Sequence, residues 1–215
     1  MPLATLDSSN AKTIQATPLT PEAFAEFGGV ISSAHQLKTH KIISANYGTA
    51  KKLFRVSPVQ NNFHNAPSGV ASTPNFNLFR CSPPDHILEY NVDGVKGKTR
   101  YVSTVLERHP FSSQTFLPMG RHKDAKAYIV IVAKNRPDGL PDMDTVQAFI
   151  ARGDQAVTYG AATWHAPMVA LGDTCDFGVF INENGQPNED VQETYFEPGI
   201  KIEFDVSEEP VKSKL

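Results

Sequence analysis

Glu107, His109, Gln114 and His165 are the residues of this chain whose types and spacing could do chemistry. They come from two stretches, Glu107-Arg108-His109-Pro110-Phe111-Ser112-Ser113-Gln114 and Trp164-His165-Ala166-Pro167. Side chains alternate between the two faces of a strand. Glu107 and His109 therefore project together, with Tyr101, Ser103 and Val105, while Arg108 points the other way. A Glu-x-His pair on one face can bind a metal ion or serve as an acid/base pair. The same pair is also a common surface ion pair, and alone it identifies nothing. His165 stands beside the only tryptophan of the chain and close to a proline. That setting suits the wall of a pocket, and it equally suits a plug at the end of a barrel.

Together the two stretches resemble the paired motifs of the cupins. Glu107-x-His109 is followed after four residues by Gln114 and after five more by Gly120. Gly153 is followed after five residues by Tyr159, which stands where the second motif has proline, and His165 falls one position late. Glu107, His109, Gln114 and His165 then occupy the four places where a cupin holds its metal. Two imidazoles, a carboxylate and an amide can accept a divalent ion, and the neutral amide makes that site weaker and its occupancy dispensable.

The elements that must position these residues are strands. Tyr101–Glu107, Gln114–Leu117, Lys126–Ala133, Val146–Ile150, Gln155–Tyr159, Phe177–Ile181 and Ile200–Val206 are short and rich in β-branched or aromatic residues. Turn residues separate them at Pro137-Asp138-Gly139, Arg152-Gly153-Asp154, Asn184-Gly185 and Pro198-Gly199. Thr20, Pro21 and Glu22 predict the start of a short helix, with Phe24 and Phe27 on one side and Gly28-Gly29 to stop it before a strand at Val30-Ile31. Residues 1–17 read as a flexible start, residues 40–84 as polar and irregular, and residues 57–98 as a long irregular insertion. The expectation is an all-β, cupin-like double-stranded β-helix or jelly-roll barrel with a few short peripheral helices. It forms a single catalytic domain over residues 18–210.

The 215 residues suffice for one such domain, and sixteen prolines with fourteen glycines fit strands and loops better than a helical bundle. A formal charge of −3 gives no electrostatic reason to expect nucleic acid. No basic run suggests an anionic membrane, and no segment reaches the roughly 18 apolar residues of a spanning helix. Two cysteines, Cys81 and Cys175, build neither a disulfide framework nor a zinc site, so the expected compartment is the cytoplasm.

A wider set of segments is similar to the ureidoglycolate lyases of allantoin and purine degradation, which serve nitrogen utilisation. The set is Leu106-Glu107-Arg108-His109-Pro110, Gln114-x-Phe116-x-Pro118-Met119, Ile129–Ala133, Ala148-Phe149-Ile150, Trp164-His165-x-Pro167 and Asp176-Phe177. Upstream, Ser44-x-Asn46-x-Gly48-Thr49-Ala50 is followed by Lys52, where the family more often has arginine. The length of the 57–98 region resembles fungal members. The resemblance implies a cupin-like homodimer that eliminates urea from ureidoglycolate to leave glyoxylate. It implies His109 and His165 as the acid/base pair, with His165 the favoured base, and Glu107 orienting His109 or completing a metal site. Gln114, Asn46, Lys52 and Trp164 would contact the substrate, Asn46 and Lys52 at its carboxylate. A divalent metal, nickel or similar, could sit on Glu107, His109, Gln114 and His165. The rival readings are a metal-dependent cupin oxygenase and a non-catalytic cupin that binds a small molecule.

Overall fold

The computed structural model describes residues 2–206, and the chain is mainly β. Two large sheets face each other. The larger has ten strands and runs in the order Ala4–Asp7, Gln192–Asp205, Lys98–Arg108, Trp164–His165, Lys126–Ala133, Gln147–Arg152, Thr17–Pro18, with short strands Ile14–Gln15, Leu88–Tyr90 and Val169–Ala170 attached to it. The smaller has five, in the order Gly28–Ser32, Gln155–Tyr159, Gln114–Met119, Cys175–Glu183, Thr73–Cys81. Gly153-Asp154 turns the chain from the larger sheet into the smaller one.

Strand alternation fills two cores. Between the sheets lie Tyr128, Val130, Val132 and Phe149 from one side and Phe116, Val157, Tyr159, Phe177 and Val179 from the other. On the outer face of the larger sheet lie Leu106, Ile129, Ile131, Ala133, Trp164, Phe196 and Ile202. The Lys126–Ala133 strand feeds both cores, which is why its run Ala127–Ala133 is wholly apolar and wholly buried.

The short helix starts as its sequence predicts, at Pro21 with Thr20 Oγ1 accepting the Ala23 N–H at 3.2 Å, but it ends at Phe24, and Gly28-Gly29 open the strand Gly28–Ser32 instead of stopping it. Four further expectations are corrected. Residues 1–17 are not a loose start: Ala4–Asp7 pairs in parallel with Thr194–Glu197, and Ile14–Gln15 with Ile202-Glu203. Residues 57–98 hold the nine-residue strand Thr73–Cys81 and the strand Leu88–Tyr90. Residues 42–53, within a stretch that reads as irregular, form an antiparallel hairpin, Ile42–Ala45 with Ala50–Leu53, in a sheet of its own. Pro198-Gly199 is a bulge inside the long Gln192–Asp205 strand, where the register against Lys98–Arg108 shifts. Gly199 is required there: its φ is +115°, and a Cβ would meet Val102 Cγ1 at 2.5 Å. The expected domain end at residue 210 lies outside the described residues. Among the described residues, no helix is long and apolar enough to cross a membrane.

Candidate active site

The cluster is assembled at one end of the interior, from both sheets. Glu107 lies directly opposite His165 on one neighbouring strand and Glu193 on the other. His165 in turn is opposite Val132, an interior residue, so all of these side chains belong to the interior face. His109 follows the end of the Lys98–Arg108 strand and shares the face of Glu107, as alternation requires. Gln114 comes from the facing sheet, where it pairs with Tyr159 and Ile181. One ligand atom each from Glu107, His109 and His165 lies within 4.8 Å of the others.

His165 is the hub. Its Nε2 is 3.2 Å from Gln114 Oε1 and 3.7 Å from Glu107 Oε1. Its ring stacks on Tyr159 at 3.9 Å between centroids, with planes 10° apart, and the His109 ring lies 5.5 Å away. Nδ1 is 2.9 Å from the Thr163 carbonyl. A carbonyl can only accept, so Nδ1 carries the proton and Nε2 presents a lone pair. The same logic fixes His109. Its Nδ1 donates to the Asp190 carbonyl at 2.6 Å, and its Nε2 is buried with no hydrogen-bond partner. Two imidazole lone pairs, a carboxylate and an amide oxygen thus converge on one buried space. This donor set suits a divalent metal ion.

The burial reshapes the acid/base chemistry. Burial, reinforced by the Glu193 carboxylate, pushes the Glu107 carboxyl up to about 7. His165 is held down at about 3 by burial, with the neighbouring His109 adding to the effect and the Thr163 carbonyl opposing it. Burial also lowers His109, against the Asp190 carbonyl and the nearby Glu183 charge. Both histidines are therefore neutral at neutral pH, and Glu107 is the group poised to exchange a proton there. The Tyr159 phenol is raised, by burial first and by the Glu107 charge second.

Two straps hold His109 and Gln114 in place. The Phe111 carbonyl accepts from Asn62 N at 2.6 Å, Ser113 Oγ accepts from Gln60 N at 2.8 Å, and the Gln60 amide oxygen accepts from Ala161 N at 2.8 Å. Residues 60–62 thus tie the 109–114 turn to the 160–163 turn, which gives the expected irregular region a structural task. The second strap is the 184–190 loop. Asp190 accepts from Asn184 N and Gly185 N at 2.7 Å each, while Glu189 accepts from Ser68 N, Ser68 Oγ and Asn184 Nδ2. These bonds fix the Asp190 carbonyl that orients His109.

Glu107, His109, Gln114 and His165 are brought together; three further candidates are not. Trp164, expected to wall the pocket, packs in the outer core and donates from its indole N–H to the Gly139 carbonyl at 3.2 Å. The reason is alternation: adjacent residues of a strand face opposite ways, and His165 takes the interior. Arg108 joins Trp164 behind the sheet, its guanidinium 4.7 Å from the indole ring and bonded to Gln192 and Asn135. Asn46 and Lys52 are exposed on the 42–53 hairpin, with Lys52 Nζ over the Phe54 ring. Sequence reasoning missed Glu193 and the Asp190 carbonyl, which carry no motif, and took Tyr159 only as a displaced proline position.

Comparison with known proteins yields one family. The family model described as ureidoglycolate lyase matches residues 11–203. A ureidoglycolate lyase of Schizosaccharomyces pombe is 41% identical over 197 residues, covering 92% of this chain and 98% of the relative. That of Saccharomyces cerevisiae is 41% identical over 194 residues, covering 87% and 96%. A bacterial one, from Burkholderia mallei, is 34% identical over 174 residues, covering 81% and 84%.

Proposed function

The chain belongs to the ureidoglycolate lyase family, and from that premise we propose that it splits ureidoglycolate into glyoxylate and urea. The observation that carries the mechanism is the buried convergence of Glu107, His109, Gln114 and His165. The substrate carbon bears a hydroxyl, a carboxylate and a ureido nitrogen. As the hydroxyl proton leaves, its oxygen becomes the aldehyde of glyoxylate, the carbon–nitrogen bond breaks, and one proton reaches the departing nitrogen. Water is not consumed and the net proton change is zero, so one carrier suffices. Glu107, poised near neutrality, takes the hydroxyl proton and returns it to the urea nitrogen. This reassigns the work expected of the histidines. Fixed with their lone pairs inward, His109 and His165 position the reacting oxygen and Glu107, while the Gln114 amide faces the ureido group.

His109, Gln114 and His165 would hold a divalent cation such as nickel, with the Glu107 carboxyl beside it left free to carry the proton, and the orphaned His109 Nε2 is the atom that most invites such an ion. Such an ion would supply positive charge to the hydroxyl and carboxylate oxygens.

The fold is read as cupin-like, a single domain acting in allantoin degradation in the cytoplasm, and the protein as a homodimer. Support for the dimer comes from the 42–53 hairpin. Ile42 and Ile43 are successive residues, hence on opposite faces, and both are about 40% exposed (41% and 42%). An isolated two-stranded ribbon with apolar residues on both faces is marginal in water. Its charge also calls for a partner. Residues 27–84 contain no acid, and Lys41, Lys51, Lys52 and Arg55 flank or lie in the hairpin, while the site gathers Glu107, Glu193 and Glu183. In the dimer the hairpin of one protomer carries Asn46 and Lys52 to the substrate carboxylate bound in the other. Mixing inactive His165→Asn and Lys52→Ala proteins then restores turnover through hybrid dimers; two mixed inactive proteins that stay inactive contradict this arrangement.

The lyase reading itself is tested with purified protein and racemic ureidoglycolate. Urea and glyoxylate should appear in equal amounts without ammonia as a primary product. Ammonia with little urea would identify an amidohydrolase instead.

A further inference from the structure

We propose that Cys81 and Cys175 form a reversible oxidation site, closing into a disulfide that staples the edge strand Thr73–Cys81 onto the smaller sheet. The two residues are direct partners in the antiparallel pairing of Thr73–Cys81 with Cys175–Glu183. Directly opposed residues share a face and have Cα atoms about 4.5–5.5 Å apart, inside the roughly 4.4–6.8 Å that a disulfide spans. The neighbouring pair confirms the shared face. Phe79 and Phe177 are the next partners of like parity, and both rings contact Phe116, at 5.6 and 5.8 Å. Cys175 is part of the interior core, and Cys81 packs against that core. Both are free thiols as the protein stands, Cys81 half-buried and Cys175 buried.

The oxidant is a small disulfide of the glutathione type. The more accessible Cys81 thiolate attacks one of its sulfurs, forming a mixed disulfide and releasing one glutathione thiolate. Cys175 then attacks the Cys81 sulfur, and the second glutathione thiolate leaves. Two electrons pass from the cysteines to the glutathione disulfide, and the two thiol protons finish on two glutathione molecules. Burial raises both thiols; at Cys81 the neighbouring Cys175 and Asp176 add to the effect, while at Cys175 the Arg121 guanidinium opposes it, so the exchange is slow at neutral pH and accelerates as pH rises.

The strand that would be stapled has reason to be held. It is the edge of its sheet, and Phe76 and Leu78 on its outward face are 70% and 68% exposed. Long apolar edges invite pairing with other chains. At present its cysteine end is held by the two-pronged Arg80–Asp176 ion pair, which is exposed. The opposite end of the same strand pair, Thr73 against Glu183, lies toward the catalytic cluster. Eight residues of strand, about 27 Å, separate the two ends. Oxidation should therefore act on stability and leave turnover alone.

The test uses the full chain in glutathione buffers of increasing oxidised fraction, near pH 8. Intact mass and non-reducing peptide maps should show the loss of two hydrogens and a linked 81–175 peptide, reversed by dithiothreitol. The oxidised protein should melt roughly 5–15 °C higher than the reduced one, with unchanged turnover. Cys81→Ser, at the more accessible position, should fold normally and lose the linked peptide and the melting shift together. A persistent glutathione adduct on Cys81 without closure, a disulfide between chains, or an unchanged mass in fully oxidised buffer would each overturn the proposal.

Discussion

Glu107 and Arg108 are neighbours in sequence and opposites in environment. Glu107 enters the interior, where His165 and Glu193 flank it and its carboxyl rises to about 7. Arg108 lies behind the same sheet over the Trp164 ring, bonded to Gln192 and Asn135. The partner strand repeats the division, with His165 inward and Trp164 outward. One face of this strand end is chemistry and the other is support. Two adjacent residues can therefore be equally buried and equally close in sequence to the site, yet differ completely in what their loss should do.

The largest expected effect is on the inner face. Glu107→Gln removes the proton carrier and should lower turnover by roughly 10²–10⁴-fold. His165→Asn and His109→Asn should each cost roughly 10²-fold while the protein stays folded. Turnover at saturating substrate, measured beside thermal melts, checks all three. If the two histidine variants turn over normally, the inner face is not the catalytic one.

Stability against pH reports on the inner face alone. The folded protein holds the Glu107 proton more tightly than an unfolded chain would, since about 7 lies above 4.5. The associated stability is present at low pH and is lost as pH rises from about 4.5 through 7. His165 runs the other way. Its folded value of about 3 lies below 6.5, so stability is full above 6.5 and is lost as pH falls toward 3. Glu107→Gln should therefore stabilise the protein at pH 8, by roughly 1–3 kcal/mol, with little effect at pH 4.5. Denaturant melts at both pH values decide the matter, and equal shifts at the two would contradict it.

On the outer face, Arg108→Lys loses the planar contact with Trp164 and one of two fixed hydrogen bonds. It should cost about 1–2 kcal/mol of stability and leave turnover within a few-fold of wild type. A collapse of turnover in a stable Arg108→Lys protein would erase the distinction between the faces. The smallest effect expected is that of chelation on folding. The two apolar cores are built without these four residues, so exhaustive chelation should leave a folded protein with a cooperative melt while lowering turnover. Unfolding on chelation would make a metal structural.

Much of this was legible in the sequence, for identifiable reasons. The Lys126–Ala133 strand is unmistakable because burial on both faces demands a continuous apolar run. The strand Thr73–Cys81 hides, because Pro74, Asn75 and Asn77 are poor strand formers and its apolar residues Phe76 and Leu78 face outward. The N-terminal strands are two to four residues long, too short to show a period. At the site, the convergence of Glu107, His109, Gln114 and His165 could be read from spacing. Trp164 could not be placed from adjacency to His165, although the alternation that sends Arg108 outward applies to it equally. The protonation states lay out of reach: sequence gives an imidazole near 6.5 and a carboxyl near 4.5, and only the burial of the assembled cluster inverts them.

If Glu107 is the proton carrier, its own titration must show it. With glutamate carboxyl carbons labelled with carbon-13 and Glu107 assigned by the Glu107→Gln variant, the metal-free protein can be titrated by nuclear magnetic resonance. This one carboxyl should titrate with a midpoint near 7. A midpoint at the ordinary value near 4.5 would leave Glu107 a plain anion at neutral pH and contradict its role.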